Sequence, residues 1–352
     1  MLQNSSIFVV RMQDIRKISK DEIAVFCENS GEPKYRARQI YEWLWEKSAV
    51  SFDEMSNLPA AFRSVLAEEY SILPITTDLE QFSDDGTIKL RFKLHDEKMI
   101  EGVLIPADNR FTACVSSQVG CTLQCAFCAT GLLKRERNLD AGEIYDQVVL
   151  LNKYCTEKYS RPLTNIVYMG MGEPLLNIDS VLESIDKITL SGLGMSPKRI
   201  TVSTVGIARG ISKLAERNVK FNLALSLHAA TDEKRVKIMP INKGNNIDAL
   251  VESLLQFYRA TANKITFEYI LFKDFNDQKE DANALIEICK KVPSFVNLIE
   301  YNKVEGLNFE KSTPEIRQRF VSYLENAGVT TKVRLSRGKD INAACGQLAN
   351  KN

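Results

Sequence analysis

From about residue 110 onwards, the sequence alternates predicted strands with predicted helices. This alternation favours βα units around a parallel sheet. Helical patterns between the strands include residues 141–154, which follow a predicted N-cap at Asp140. The six predicted strands are residues 111–117, 164–170, 199–204, 221–227, 265–272 and 296–302. Six such units predict an α/β fold with a partial (βα)6 barrel of the TIM type, whose functional groups lie at the C-terminal ends of its strands.

Residues 1–100 have a different pattern. Ser19 and Glu22 have the spacing of a capping box, residues 35–47 have a helical pattern, and Pro59 precedes another helix. A turn signal at residues 84–86 precedes the alternating segment 87–94, which predicts a strand with one buried face and one cationic face. We therefore expect a small accessory domain of helices and a β-hairpin over residues 1–100, with the barrel domain over residues 101–352.

The composition limits the class of protein. The chain has 46 Lys and Arg against 45 Asp and Glu, which excludes binding to nucleic acid through bulk charge but allows a local basic face. The N-terminus lacks the long apolar run of a leader peptide, and no segment is apolar enough to span a membrane. We therefore expect a cytoplasmic protein without membrane contact. Its eight cysteines should then be reduced thiols, metal ligands or catalytic groups.

Three cysteines follow the first predicted strand. Cys121, Cys125 and Cys128 form a C-x3-C-x2-C motif within eight residues. A structural zinc site usually takes four protein ligands in two separated pairs, so a zinc site that borrows a distant cysteine is the weaker interpretation. A [4Fe–4S] cluster bound by only three cysteines keeps one iron open for a non-protein ligand. The motif therefore favours a cluster with an open iron.

The cysteine motif and its position resemble those of the radical S-adenosylmethionine (SAM) superfamily. This resemblance implies that SAM chelates the open iron and is cleaved to a 5′-deoxyadenosyl radical, so that the cofactor performs the difficult step. After the second predicted strand, the run MGMGEPLLN resembles the superfamily's GEP motif. The resemblance therefore assigns Gly172 and Glu173 to the amino group of SAM.

Other strand ends also carry small polar residues. Ser203 ends the third predicted strand, the run Ser226, Leu227 and His228 ends the fourth, and Asn302 ends the sixth. Taken singly, these are common strand-end residues, but together they predict a polar ligand site. The resemblance assigns them to the ribose and carboxylate of SAM.

Two cysteines outside the motif bear on the reaction. Cys114 lies in the first predicted strand and Cys345 lies in the run DINAACGQL, and either is more often a core residue than a catalytic one. The surrounding runs TACVSSQVG, LSLHAATDEKR and MPIN, however, closely resemble the RlmN/Cfr family of RNA adenine methyltransferases over residues 100–348.

The resemblance to this family implies roles for three residues. Cys345 is methylated on sulfur by one SAM, and a radical from a second SAM activates that methyl group. The resulting carbon radical adds to adenine, and Cys114 then releases the product by forming a disulfide with Cys345. Glu101 matches the family's proton acceptor. The chemistry agrees with the residues, because an electron-poor ring carbon can accept a radical and a second thiol provides the leaving route.

The resemblance also implies the partners. Expected substrates are 23S rRNA, at the peptidyl transferase centre, and tRNA beside the anticodon, with a flavodoxin- or ferredoxin-like electron donor, and we expect a monomer. The accessory domain is a candidate for RNA contact, although residues 1–100 hold 13 basic and 17 acidic residues. Candidate phosphate contacts are Lys89, Arg91, Lys93, Lys134, Arg135, Arg137, Lys332, Arg334, Arg337 and Lys339.

Three alternatives stay open at this point. A Cfr-type enzyme would use the same thiols to methylate adenine C8, although Pro174 favours the RlmN type. A radical SAM enzyme with a non-RNA substrate would not need the Cys114 and Cys345 pair. A zinc-binding RNA module would bind zinc instead of iron and sulfide. The sequence also departs from the family pattern at Lys134 and Arg135, and in the run EYNKVEG around Asn302.

Overall fold

A computed structural model describes residues 12–190 and 193–350. The expectation that the N-terminus lacks a leader peptide concerns residues 1–11 among others. Residues 1–11 lie outside the described part of the chain. The described residues form two compact units. One comprises residues 12–74 with Leu190 and residues 193–194, and the other comprises residues 75–189 and 195–350. None of the described helices is long and apolar enough to cross a membrane.

The first unit is mainly helical. Ser19 and Glu22 form the predicted capping box, in which each side chain binds the other residue's backbone N–H. A buried ion pair between Asp14 and Arg16, 2.8 Å long, joins the start of this unit to its end because Arg16 also donates to the Leu73 carbonyl. The elements are β1 (Gln13–Asp14), α1 (Lys20–Asn29), α2 (Arg36–Trp45), α3 (Ala60–Glu69) and β2 (Tyr70–Ser71).

The second unit contains a ten-stranded sheet with the order β14-β13-β12-β11-β10-β9-β6-β5-β4-β3. Its strands are β3 (Thr76–Phe82), β4 (Ile88–Lys93), β5 (Met99–Ala107), β6 (Arg110–Cys114), β9 (Asn165–Tyr168), β10 (Ile200–Thr204), β11 (Asn222–Ser226), β12 (Ile265–Leu271), β13 (Ser294–Glu300) and β14 (Thr331–Arg334). A separate two-stranded sheet pairs β7 (Gln118–Val119) with β8 (Arg137–Asn138). From β6 to β14 the neighbouring strands of the large sheet are parallel.

Helices connect the parallel strands, as crossover connections require. They are α4 (Ala141–Tyr159), α5 (Ile178–Leu190), α6 (Ala208–Glu216), α7 (Asp232–Ile238), α8 (Ile247–Thr261), α9 (Lys279–Lys291) and α10 (Pro314–Asn326). Asp140 caps α4 as predicted, in a capping box with Glu143. The predicted α/β barrel with six βα units is confirmed, and β14 adds a further parallel strand that the sequence analysis did not identify.

Two predictions about the region before the barrel need correction. The first unit ends at Pro74 rather than near residue 100, because β3, β4 and β5 pair antiparallel and join the large sheet beside β6. The predicted cationic face of β4 is not uniformly exposed. Lys89 is only 4% exposed, because the C-terminal segment covers it.

The C-terminal segment connects the two ends of the open sheet. After β14, the Gly338 N–H donates to Asp85 at 2.8 Å, and Asp340 accepts a hydrogen bond from Ser83 at 2.6 Å. Asp85 and Ser83 lie in the turn between β3 and β4. The last residues of the chain therefore bridge the edge strand β14 to the opposite edge of the sheet.

The α4 capping box gives a stability prediction. Asp140→Ala removes the acceptor for the Glu143 N–H, 2.9 Å away, and should lower the free energy of unfolding by about 1 kcal/mol. The control is Lys153→Ala on the same helix, where an exposed ion pair of 4.0 Å should contribute less than about 0.5 kcal/mol. Denaturant unfolding measures both changes. Equal effects of the two variants would contradict the assigned cap.

Candidate functional site

An open cavity of about 890 Å³ lies at the C-terminal ends of the parallel strands, where the barrel fold predicts the functional groups. All three cysteines of the C-x3-C-x2-C motif line it, together with Cys345. Two of the residues predicted to bind SAM do not line it: Leu227 is fully buried beside it, and Asn302 lies behind the Cys345 backbone. The other five predicted residues do line it, and they are Gly172, Glu173, Ser203, Ser226 and His228.

The three motif cysteines lie close enough to influence one another. Burial raises the pKa of Cys125, and the neighbouring Cys128 and Cys121 thiolates raise it further. Within the described residues, however, no three His, Cys, Asp or Glu side chains are grouped tightly around one ion position. The donor set of three cysteines in one loop matches a [4Fe–4S] cluster that keeps one iron open, whereas a structural zinc site usually takes four protein ligands.

The GEP run places a carboxylate against the cavity wall. Glu173 is 2% exposed, and its two carboxylate oxygens accept hydrogen bonds from the backbone N–H groups of Leu175, at 3.0 Å, and Val205, at 2.8 Å. Burial raises its pKa to about 6. Gly172 has a φ of +97°, and a Cβ there would lie 2.5 Å from the Cβ of Gln118. Only glycine fits this position without displacing Gln118.

The ends of β10 and β11 provide further polar groups. The hydroxyls of Ser203 and Ser226 lie 3.5 Å apart. His228 accepts a hydrogen bond at Nδ1 from the Ile270 N–H, at 3.1 Å, and burial lowers its pKa to about 3. The ring is therefore neutral, and its proton is on Nε2.

Arg235 is a buried residue that was not predicted to belong to the site. It lies at the end of the run LSLHAATDEKR. Its guanidinium donates to the carbonyls of Val205, Ser226 and Leu227. It also donates to Asn242 at 2.6 Å. These bonds fix the loops after β10 and β11 relative to each other. Arg235 lies in a charged helical run, so the sequence pattern gave no signal of its burial.

Two other charged residues line the cavity, of which Glu268 was missed and Arg334 was predicted in a different role. Glu268 of β12 is 4% exposed and accepts a hydrogen bond from Asn297 at 2.9 Å. Its second oxygen is buried and has no hydrogen-bond partner among the described residues. Arg334, predicted as a phosphate contact, lines the cavity instead, with a guanidinium nitrogen 3.7 Å from the Met169 sulfur. The sequence did contain a signal for Glu268, because a glutamate in the middle of an otherwise apolar strand indicates a buried polar site.

Cys345 lies in a segment that we define as residues 342–350 and call the Cys345 segment. Asn302 donates to the Cys345 carbonyl at 3.2 Å, and the Ala129 N–H donates to the Gly346 carbonyl at 2.7 Å. Thr130 donates to the Leu348 carbonyl at 2.7 Å. The loop that carries the motif cysteines is thus hydrogen-bonded to the segment that carries Cys345.

The Cys114 thiol lies at the end of β6. Burial and, less strongly, the nearby Cys345 thiolate raise its pKa to about 12, although Arg334 acts to lower it. The pKa of Arg334 is in turn raised, first by the Cys345 thiolate. The structure therefore brings Cys114 and Cys345 into one electrostatic neighbourhood around Arg334. Cys27 and Cys155 are fully buried, as expected for core residues, and Cys289 is partly buried.

Glu101 lies outside this cavity. It is 1% exposed, and its side chain lines a smaller cavity of about 430 Å³. One carboxylate oxygen lies 3.4 Å from the Lys89 ammonium, and the other accepts hydrogen bonds from the N–H groups of Ala349 and Asn350. Lys89 is therefore an ion-pair partner of Glu101 and not a phosphate contact.

The other candidate phosphate contacts divide into two groups. Arg137 donates to Asp96 and to Glu143, so its charge is neutralised within the protein. Four more also have protein partners; they are Arg91 with Asp78, Lys93 with Glu97, Lys339 with Glu300, and Arg337 with the Asp85 carbonyl. The Arg135 guanidinium donates a hydrogen bond to the side-chain oxygen of Asn138 at 3.4 Å. Lys134 and Lys332 are exposed and form no ion pair with the described residues, so they are the free cations of this set.

Comparisons with known proteins agree with this site. Residues 13–72 match the family "Ribosomal RNA large subunit methyltransferase N-terminal domain", and residues 115–286 match the "Radical SAM superfamily". A protein of Cytophaga hutchinsonii named "Probable dual-specificity RNA methyltransferase RlmN" is 52% identical over 97% of this chain and 93% of that protein. The chain belongs to the RlmN family. A Flavobacterium psychrophilum protein of the same name is 51% identical over 97% of this chain and 99% of its own.

A solved structure supports the same fold. The crystal structure of a radical SAM methyltransferase from Sphaerobacter thermophilus is 38% identical, with a TM-score of 0.90 over 96% of this chain and 100% of that one. Members of the radical SAM superfamily, to which the RlmN family belongs, use a [4Fe–4S] cluster and SAM. The chain's own residues fit both groups. Three thiols line the cavity, and so does Glu268, whose second carboxylate oxygen is a buried acceptor without a described partner. SAM presents an ammonium and ribose hydroxyls as donors for such acceptors.

Gly172 provides a second stability prediction. Gly172→Ala should destabilise the protein by about 2 to 4 kcal/mol, because alanine disfavours a positive φ and its Cβ would overlap Gln118. Gly244→Ala is the matched control, since its φ is not positive and a Cβ added there would meet nothing within 4 Å. Chemical denaturation of the two variants tests this. An unchanged midpoint for Gly172→Ala would mean that the close approach to Gln118 is not rigid.

Proposed function

We propose that this radical SAM enzyme methylates C2 of adenosine in RNA, in 23S rRNA at the peptidyl transferase centre and in tRNA next to the anticodon. The observation that carries the proposal is the shared cavity. Three motif cysteines and Cys345 line one space, and Cys114 lies in the same electrostatic neighbourhood. A cluster-binding motif next to a second pair of thiols is what a methyl-cysteine mechanism requires.

The cofactors are assigned to the residues that fit them. Cys121, Cys125 and Cys128 would hold the [4Fe–4S] cluster, and Gly172, Glu173, Ser203, Ser226 and His228, which line the cavity, would contact SAM. Leu227 and Asn302 would support this site from behind the cavity wall. When bound, the cluster and SAM supply radical chemistry, with two SAM consumed per turnover, one as methyl donor and one as radical source. Glu173 is held rigidly by two backbone N–H groups, so its position does not depend on the ligand.

Cys345 carries the methyl group in this proposal. Its sulfur accepts the methyl group, and the guanidinium of Arg334 lines the same cavity. Hydrogen bonds from Asn302 and Ala129 to the adjacent carbonyls hold the backbone, so the sulfur stays at the cavity wall.

Cys114 and Glu101 complete the reaction. Glu101 accepts the proton from C2 of the RNA adduct, and the adduct's unpaired electron would pass to the iron–sulfur centre that Cys121, Cys125 and Cys128 would hold, which leaves a closed-shell thioether on Cys345. Cys114 then attacks the sulfur of Cys345, the carbon–sulfur bond to the nucleoside breaks, the freed carbon takes up a proton, and a disulfide forms. Burial keeps Cys114 protonated before this step, because its pKa is about 12. A flavodoxin- or ferredoxin-like protein is the proposed electron donor.

The RNA must present its base outside a helical stack, which costs a few kcal/mol and favours loops over duplex. Lys134 and Lys332 are the exposed cations proposed to offset this cost through phosphate contacts. The first compact unit is the proposed additional RNA contact. We propose that the enzyme acts as a monomer in the cytoplasm, where reductants regenerate the thiol pair.

The regiochemistry can be measured directly. The reconstituted enzyme is incubated anaerobically with SAM, reductant and protein-free RNA from a strain that lacks the modification, and the nucleosides are then identified by mass spectrometry against standards. We expect 2-methyladenosine. Formation of 8-methyladenosine would assign the enzyme to the Cfr type. Absence of any methylated adenosine, with an intact cluster and SAM cleavage, would refute the substrate assignment.

The thiol pair gives a separate prediction. Cys345→Ala should abolish RNA methylation, because it removes the methyl carrier. Cys114→Ala should trap RNA on Cys345 as an adduct that survives both denaturation and reduction, visible as a gel shift and by intact mass. Cys289→Ala, at a partly buried cysteine of α9, is the control and should turn over normally. Normal turnover by Cys114→Ala would exclude release through a disulfide.

A further inference from the structure

The Cys345 segment is held from both sides of its cysteine by one buried ion pair. Before the cysteine, the Asn342 carbonyl lies 3.5 Å from the Lys89 ammonium, which donates to it. After the cysteine, the N–H groups of Ala349 and Asn350 both donate to the same Glu101 oxygen, at 2.8 and 3.1 Å. The side chain of Asn350 also donates to the Met99 carbonyl at 2.8 Å.

This ion pair lies in an unusual place. Lys89 on β4 and Glu101 on β5 are diagonal neighbours on one face of the sheet, with exposed side-chain fractions of 4% and 1%. Removing two charges from water is costly unless other hydrogen bonds satisfy them. Here those hydrogen bonds come from the backbone of the Cys345 segment. The pair and the segment therefore stabilise each other.

The segment also separates two cavities. Cys345 and Gly346 line the large cavity with the motif cysteines. Asn342, Gln347 and Ala349 line the smaller cavity together with Lys89 and Glu101. The same short stretch of backbone is thus a wall of both. The proposed methyl carrier and the proposed proton acceptor face different cavities while the segment is closed.

We propose that Lys89 and Glu101 are positioning residues that hold the Cys345 segment closed, so that the Cys345 sulfur faces the large cavity. This gives Glu101 a role that precedes any encounter with RNA. The proposal deepens the proposed function and rests on it only in treating Cys345 as the methyl carrier.

Two substitutions at one position separate the two roles of Glu101. Glu101→Leu removes both the charge and the acceptor, so the segment should open. Glu101→Gln keeps a carbonyl oxygen that can accept the two N–H groups but cannot serve as a base. We therefore expect Glu101→Gln to keep the segment closed yet fail to complete RNA methylation, and Glu101→Leu to lose both properties.

The readout is the alkylation rate of Cys345 in the full-length, cluster-loaded enzyme without RNA. Iodoacetamide is added anaerobically, and trypsin then releases residues 340–351, in which Cys345 is the sole cysteine. We expect Glu101→Leu to react about tenfold faster or more, because it loses two hydrogen bonds to a charged acceptor. Glu101→Gln should stay within about threefold of the parent. Glu136→Leu, which removes the ion-pair partner of Lys98, is the matched control and should not change the rate.

A second variant covers the case in which Glu101→Leu does not fold. A chain that ends at Leu348 lacks the two N–H donors but keeps the Lys89 and Glu101 pair, and it should show the same faster alkylation. If either folded variant reacted at the parental rate, the ion pair would not hold the segment and the proposal would be wrong. Because the assay uses no RNA, faster alkylation combined with a lack of adenosine methylation by the parent would uphold the clamp and refute the proposed function.

Discussion

Parallel pairing from β6 to β14 is the constraint on which the site depends. Strands that run in the same direction bring their C-terminal ends to one side of the sheet, so loops far apart in sequence meet there. The motif cysteines follow β6, Glu173 follows β9, and His228 follows β11. In an antiparallel arrangement of the same strands, the motif cysteines would lie at the opposite end of the sheet from Glu173 and His228. The chemistry of the site therefore depends on the crossover helices that enforce the parallel order.

Around this frame, charged groups are satisfied mainly by the backbone. Glu173 and Glu101 each accept two main-chain N–H groups, and Arg235 donates to three main-chain carbonyls. Backbone partners are rigid, so these side chains have fixed positions before any ligand binds. The same groups fix the loops that supply their partners. In this protein, buried charge mainly holds loops in place, and only part of it is available for chemistry.

Local features of the fold could be predicted from the sequence. The six strands were identified by apolar runs, and the Asp140 cap by its position directly before a helical pattern, because each depends on neighbouring residues. The edge strand β14 was missed because three of its four residues, Thr331–Arg334, are polar and the strand is too short to show a pattern. They were interpreted instead as a basic surface.

Long-range electrostatics could not be predicted in the same way. Lys89 was interpreted as a phosphate contact because its burial depends on Asn342, 253 positions away. Arg137 was interpreted likewise, although its charge is neutralised by Asp96, 41 positions before it, and by Glu143. The proximity of Cys114 to Cys345 was implied by family resemblance alone, since no local pattern links residues so far apart.

The bridge between the C-terminal segment and the β3–β4 turn also has a consequence for how the protein forms during synthesis. Contacts such as Ser83 with Asp340 and Glu101 with Ala349 join residues 257 and 248 positions apart. A nascent chain emerges from its N-terminus and folds domain by domain. The early strands β3 to β5 must therefore wait until residues 340–350 have been made before Lys89 and Glu101 can be buried. The second unit can be completed only after the segment bearing Cys345 has left the ribosome.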